Sequence, residues 1–470
     1  MEIDLEAKVV YVSGKNILYR LSVQEDMQMI KRQTGPVVNC LPQLPPETLK
    51  HEYCGDDYNT VMVVTPDSLI TCGTLRGGLC MRRDKESLNI TMTSLSNCLV
   101  SNEQASALGI FLNITDKSSP GLFQNIVLLA KEYTTLPLSA ANLEEAAIFS
   151  VLPDLSVISL DNSKYGRIFD MILKDTVNVK MDYRVVFEND KFVFFLVNQN
   201  SQSKLVKICK SIDSEARYSK KVYEDIPVSC NAGEINLTHV KHGIFISVSG
   251  KRYLIVLFSR SKPTRSAVCV FEENDIYEAF LKSRRHRLGC PKSDLPADDV
   301  IFQADRGSPQ VCIEYRNLNK TNEPLIGVYD AFYKGDYCNS VNMVSQFGII
   351  VGLLPLEGNA VYSTKSHQVT VVGSLTINNL TTLYIGTDNG SVIQVLYDKE
   401  KNRSSVLSEI KVDPSEIRAI RSLNGETYIM SQNKIVKLLP SKNCGQYSGN
   451  CQQCMDVNDF DCGWCVTKGV

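Results

Sequence analysis

Short runs of β-branched and aromatic residues recur along the whole chain, at residues 9–12, 61–64, 126–129, 192–197, 253–258 and 383–385 among others, separated by clusters of Gly, Asn, Asp and Ser. This is the rhythm of an all-β protein. Spread over more than 400 of 470 residues, strands this short are better housed in small sheets repeated radially about an axis than in one sandwich. The pattern therefore predicts a β-propeller. No WD or kelch signature repeats, so periodicity does not number the blades.

Sixteen cysteines are unusual for a reducing compartment unless they hold metal, and most of the chain lacks the paired C-x-x-C and His spacings that metal sites need. Disulfides in an oxidising compartment are the better reading. Seven N-x-[ST] sequons, at Asn89, Asn113, Asn236, Asn319, Asn379, Asn389 and Asn402, point the same way. Residues 1–7 are acidic and lack the basic and apolar regions of a signal peptide, so a secretion signal is expected to have been removed or never included. The most apolar stretch, residues 347–356, is about half the ~20 residues that span a bilayer. The formal net charge of −2 supplies no global pull toward nucleic acid or anionic membrane. A partner must be recognised by local surface.

Two segments break the strand rhythm. Residues 274–287 (NDIYEAFLKSRRHR) read as a short helix projecting from a blade, with Asn274 as its cap, Ile276, Phe280 and Leu281 near one face, and positive charge at its end. From Cys444 onward cysteines crowd, five in the last 27 residues, which places a boundary at 440–443 and the start of a small disulfide-stapled module beyond it.

Several motifs carry a family resemblance. Residues 381–396 (TTLYIGTDNGSVIQVL) read as two strands joined by a tight turn through Asp388, Asn389 and Gly390, because Asn-Gly takes positive φ readily; the string also resembles the last-but-one blade of sema domains. Residues 56–80 hold a strand ending at Cys72 and a Gly-rich return to Cys80. Seven residues between these cysteines resemble plexins and the scatter-factor receptors, whereas semaphorins typically carry one more. Residues 34–40 (TGPVVNC) look like the plexin T-G-P-V stretch, and 266–271 (SAVCVF) resemble a strand shared by plexins and semaphorins. The run C-x6-C-x2-C-x7-C-G-W-C, Cys444 to Cys465, matches the PSI pattern. Its C-x-x-C pairs in isolation could suggest zinc, and their context argues against it. Trp464 followed by Cys465 again favours the receptor side over semaphorins.

The resemblance to plexins implies a seven-bladed sema β-propeller with a helical extrusion over residues 1–440 and the N-terminal part of a PSI module over 441–470. It implies the pairs Cys40 with Cys54, Cys72 with Cys80, Cys209 with Cys338, Cys230 with Cys269, Cys290 with Cys312, and Cys444 with Cys462. Cys451, Cys454 and Cys465 are expected to pair beyond Val470, while Cys98 is a buried free thiol or a sign that one pair is wrong. By resemblance the function is semaphorin binding by the extracellular part of a single-pass receptor in cell and axon guidance, with the head monomeric until it meets ligand. A semaphorin-type ligand and a scatter-factor-receptor-like head are the alternatives. No short motif carries individual ligand contacts across.

Nothing points to an enzyme, a cofactor or a nucleic-acid partner. The G-x-S-x-G elbow, P-loop, H-E-x-x-H and EF-hand patterns do not occur. Of the histidines at 51, 239, 242, 286 and 367, His239 and His242 stand three apart in strand-like sequence, where alternation sends them to opposite faces and leaves them at the surface. The basic run Lys282, Arg284, Arg285, His286 and Arg287 reads as a solvated helix end, an acidic-partner contact or an R-x-x-R cleavage signal.

Overall fold

A computed structural model of the chain describes residues 1–22, 28–37, 55–93, 106–116, 123–132, 146–156, 170–172, 181–200, 202–212, 223–260, 264–288, 349–377, 380–398, 403–423 and 425–438. The chain divides into two compact units. The first comprises Met1–Val228 with Ile276–Leu356, the second Ser229–Asp275 with Glu357–Val470.

Strands follow one another as antiparallel neighbours in successive sets. The first set is β1 (Glu2–Asp4), β2 (Val9–Gly14), β3 (Ile17–Ser22) and β4 (Met29–Gln33). The second is β5 (Val61–Val64), β6 (Leu69–Cys72), β7 (Cys80–Arg83) and β8 (Ile90–Thr93), with a helical turn α1 (Leu75–Gly78) between β6 and β7. A third contains β9 (Ala107–Asp116), β10 (Phe123–Lys131), β11 (Ala146–Val151) and β12 (Asp170–Ile172). The fourth runs β13 (Met181–Glu188), β14 (Phe192–Gln199) and β15 (Gln202–Cys209), then passes β16 (Ser211–Ile212), which pairs with β9, before β17 (Tyr223–Ala232) lies against β15. Strand β18 (Ile235–Leu237) folds back on β17.

In the second unit a fifth set holds β19 (Val240–Val248), β20 (Lys251–Arg260) and β21 (Arg265–Glu272). The chain then forms helix α2 (Glu273–Leu288) and the short β22 (Ile349–Val351), and β23 (Leu356–Thr364) completes that set against β21. The sixth is β24 (Val369–Ile377), β25 (Leu380–Thr387), β26 (Ser391–Asp398) and β27 (Arg403–Lys411). In the seventh, β28 (Ile417–Leu423), β29 (Glu426–Ser431) and β30 (Ile435–Leu438) are described.

Within each unit the first strand of one set packs beside the first strand of the next: β1, β5, β9 and β13 in the one, β19, β24 and β28 in the other. That succession is the blade arrangement of a propeller. The core lies between facing sets, as where Leu112, Ile126 and Leu128 meet Val193, Phe195 and Val206. The apolar runs named from the sequence all fall in strands.

Strand β14 (FVFFLVNQ) is buried on both faces, which is why it reads as a continuous apolar run and not as an alternation. One face enters the core just named, and the other receives α2: Phe194 packs near Phe280, and Phe192 near Tyr277. The helix was expected at 274–287 with Asn274 as cap. It begins at Glu273, with Glu273 and Asp275 in the first turn where the helix dipole favours carboxylates. Nor does it project freely, because Ile276, Phe280, Ser283 and Arg284 form a buried stripe at helical spacing while Leu281 is only half-buried.

Candidate functional site

Among the described residues, the chemically densest region lies in the first unit, beneath α2. Residues 203, 205, 207 and 209 of β15 face the helix, and alternation carries Lys204, Val206 and Ile208 to the opposite side. Antiparallel pairing sets Lys207 across from Glu224 on β17 and Val206 across from Asp225, so the adjacent carboxylates also point to opposite faces. Each finds a lysine on its own face.

On the helix side, Arg284 donates from Nε and Nη2 to Glu224 Oε1 and Oε2 at 2.9 and 2.7 Å, while Lys207 Nζ reaches Oε2 at 2.8 Å. The Lys207 ammonium also stands 4.2 Å from the centroid of the Phe280 ring and 4.9 Å from that of Phe192. Burial pushes the Glu224 carboxyl up, and the charges of Arg284 and Lys207 outweigh it, holding Glu224 below the usual carboxylate range. Burial pulls Lys207 down to about 8 against the opposing charge of Glu224. On the other face Asp225 accepts from Tyr223 Oη at 2.9 Å and from the Gly352 amide at 3.2 Å, with Lys204 Nζ at 3.4 Å. There burial dominates and raises the carboxyl. Ser283 Oγ accepts from the Leu353 and Leu354 amides at 3.0 and 3.2 Å, tying the helix to the segment that links β22 to β23.

With its members closed in and mutually satisfied, this network acts as an internal clamp on α2 and offers no nucleophile or general base to a substrate. The reading of the basic run as a solvated helix end fails at Arg284, which is 2% exposed. Lys282 and His286 are exposed. Sequence reasoning missed the clamp. Its only linear signals are lysines inside an apolar strand and an adjacent Glu-Asp pair in another.

The disulfides Cys72–Cys80 and Cys230–Cys269 are formed. Cys209 is disulfide-bonded as well, and its expected partner Cys338 lies outside the described residues. So do Cys40, Cys54, Cys98, Cys290, Cys312, Cys444, Cys451, Cys454, Cys462 and Cys465, and with them the whole 441–470 segment. Val37 and Gly55, which flank the Cys40 and Cys54 segment, exchange both backbone hydrogen bonds at 3.0 Å.

Asn89, Asn113 and Asn236 are exposed. Asn389 is half-buried at the predicted β25–β26 turn. Its Oδ1 accepts from Thr387 Oγ1 at 2.7 Å and from the Ser391 amide at 3.2 Å, and its Nδ2 lies 3.3 Å from His367 Nδ1. Asn319, Asn379 and Asn402 lie outside the described residues, as does His51. His239 and His242 are half-buried and not the surface residues expected, with His242 Nδ1 accepting from the Val372 amide at 3.4 Å. A bulge between Val240 and His242 breaks the simple alternation there. Among the described residues no group of three or more His, Cys, Asp or Glu side chains is placed to hold a metal ion, and no helix is long and apolar enough to cross a membrane.

Residues 242–424 match the family model described as Sema domain. Over the whole chain the sequence is 24% identical to Plexin-B2 of Mus musculus, of which it covers 25%, so it spans about a quarter of the length of that relative. Among solved structures, the plexin A4 full extracellular region superposes with a TM-score of 0.65 at 17% identity, covering 100% of this chain and 48% of that one. A structure described as Drosophila Plexin A in complex with Semaphorin 1b superposes at 0.60 with 15% identity, covering 99% of this chain and 89% of that one. The chain thus has an all-β propeller fold, its residues 242–424 are similar to Sema domains, and its likeness to plexins runs along its full length.

Proposed function

We propose that this chain is the extracellular ligand-binding head of a plexin-type cell-surface receptor, and that its ligand is the sema domain of a semaphorin. The observation that carries the proposal is the full-length sequence similarity to a plexin, joined to the seven-residue loop closed by Cys72 and Cys80. The solved complex of a plexin with a semaphorin supports the class of partner. A clamp such as Arg284–Glu224–Lys207 suits this role, since a scaffold held rigid from within leaves little conformational entropy to be lost on binding. The head acts by binding and not by catalysis, stands outside the cell, and is monomeric without ligand.

Light scattering coupled to size-exclusion chromatography, on the glycosylated protein alone and mixed with a panel of semaphorin ectodomains, tests this reading. A monomer that joins a dimeric semaphorin in a two-to-two complex is the expected result. A stable dimer that binds plexin heads instead would make the chain a semaphorin-type ligand.

A further inference from the structure

Strands β4 and β8 are the outer edges of their sets, and they concentrate exposed apolar side chains. Met29 is 58% exposed, Ile30 37%, Ile90 49% and Met92 42%. Among the described residues neither strand has a partner on its outer side, and an edge of this kind joins backbone groups and apolar side chains, the combination that invites pairing with a second chain. The loop that leads into β8 is tied to β4, because Arg32 of β4 donates from Nη2 to the carbonyl of Ser87 at 3.1 Å.

That loop is firmly held and ends on a sequon. Asp84 accepts from the amide and hydroxyl of Ser87 at 2.7 and 2.6 Å, its own amide bonds the Asn89 carbonyl at 2.9 Å, and Arg83 Nη1 bonds the Leu88 carbonyl at 3.0 Å. Lys85 anchors it again through Asp4, at 2.8 Å. Leu88, wholly buried, turns the chain through a positive φ of 59°, and Asn89 emerges exposed immediately before Ile90. Thr91, which completes the sequon, is on the edge strand itself.

We propose that Asn89 carries an N-linked glycan whose inner sugars cover the apolar edge residues beside it, Ile90 and Met92 of β8 with Met29 and Ile30 of β4, and so keep these edges from pairing with another copy of the chain. A sugar fixed at this site is bulky, hydrophilic and tethered one residue from the strand it shields. The inference rests on the extracellular reading, since the modification belongs to the secretory route.

The test uses the chain secreted from eukaryotic cells. Glycopeptide mass spectrometry should find Asn89 occupied, and enzymatic removal of glycans from the folded protein should shift it from monomer toward species of dimer mass or larger, with increased binding of an apolar dye. The variants Asn89→Gln and Thr91→Ala should do the same, and adding Ile90→Lys with Met92→Lys to Asn89→Gln should restore the monomer. Asn113→Gln and Asn236→Gln should leave it monomeric. An unoccupied Asn89 beside an occupied Asn113 or Asn236 overturns the inference while sparing the extracellular reading, as does a deglycosylated protein that stays monomeric with unchanged dye binding. Sugar on none of the sequons overturns both.

Discussion

Arg284 and Glu224, sixty residues apart in sequence, meet through two parallel hydrogen bonds at 2.9 and 2.7 Å with both side chains shut away from solvent. A buried guanidinium and carboxylate in this geometry depend on each other, since removing one leaves the other charged and dry. Replacing Arg284 by Met should lower unfolding stability by about 3 to 5 kcal/mol, the cost of breaking a buried pair. His286→Ala, at an exposed position on the same helix, should stay within about 0.5 kcal/mol of the parent in the same denaturant titration. A partner lost on reversing Arg284 therefore reports a damaged fold and not a lost contact.

The clamp also makes a pH signature. In the unfolded chain Lys207 titrates near its ordinary 10.5, and in the folded protein at about 8. Below about 8 both states hold the proton, and between there and 10.5 the unfolded chain binds more of it. Stability from this group therefore rises with pH across that window. Lys207→Met, read by unfolding at several alkaline pH values, should flatten that rise. Equal slopes in parent and variant would remove Lys207 as its source.

Gly390 closes the β25–β26 turn at φ 83°, and an added methyl there would run into the backbone carbonyls of Asp413 and Ser415. Gly250 has a similar φ of 76° with open space around it. Gly250→Ala should cost only the left-handed backbone penalty of about 1 to 2 kcal/mol. Gly390→Ala should cost clearly more, because the obstructing atoms are main chain. Melting temperatures of the pair decide this, and equal losses would count against the close approach.

The two described disulfides enclose very different lengths of chain, 39 residues for Cys230–Cys269 and 8 for Cys72–Cys80. On chain entropy alone, removing the first by double substitution to Ala should cost about 4 kcal/mol and the second about 2.5 kcal/mol. Chemical denaturation of the two double variants checks the order. A reversal would mean that native packing around Cys72 matters more than loop length.

The strand runs, the turn at Asn389–Gly390 and the helix after β21 were legible because each is a local matter: side-chain period, a φ preference, an apolar stripe. The Cys72–Cys80 pair was implied by the family resemblance, and the structure shows why it is a local one, its cysteines being directly opposite neighbours on β6 and β7. Lys204, Lys207, Glu224, Asp225 and Arg284 were not, since a charged side chain reads as exposed until its partner is known. Cross-strand register and the docking of α2 supply those partners. Thus the sequence by itself determined where strands, turns and sequons fall, through preferences that act over a few residues. Only the tertiary structure decided which charges go inside, because burial of an ion is tolerable solely where folding brings the opposite charge to it.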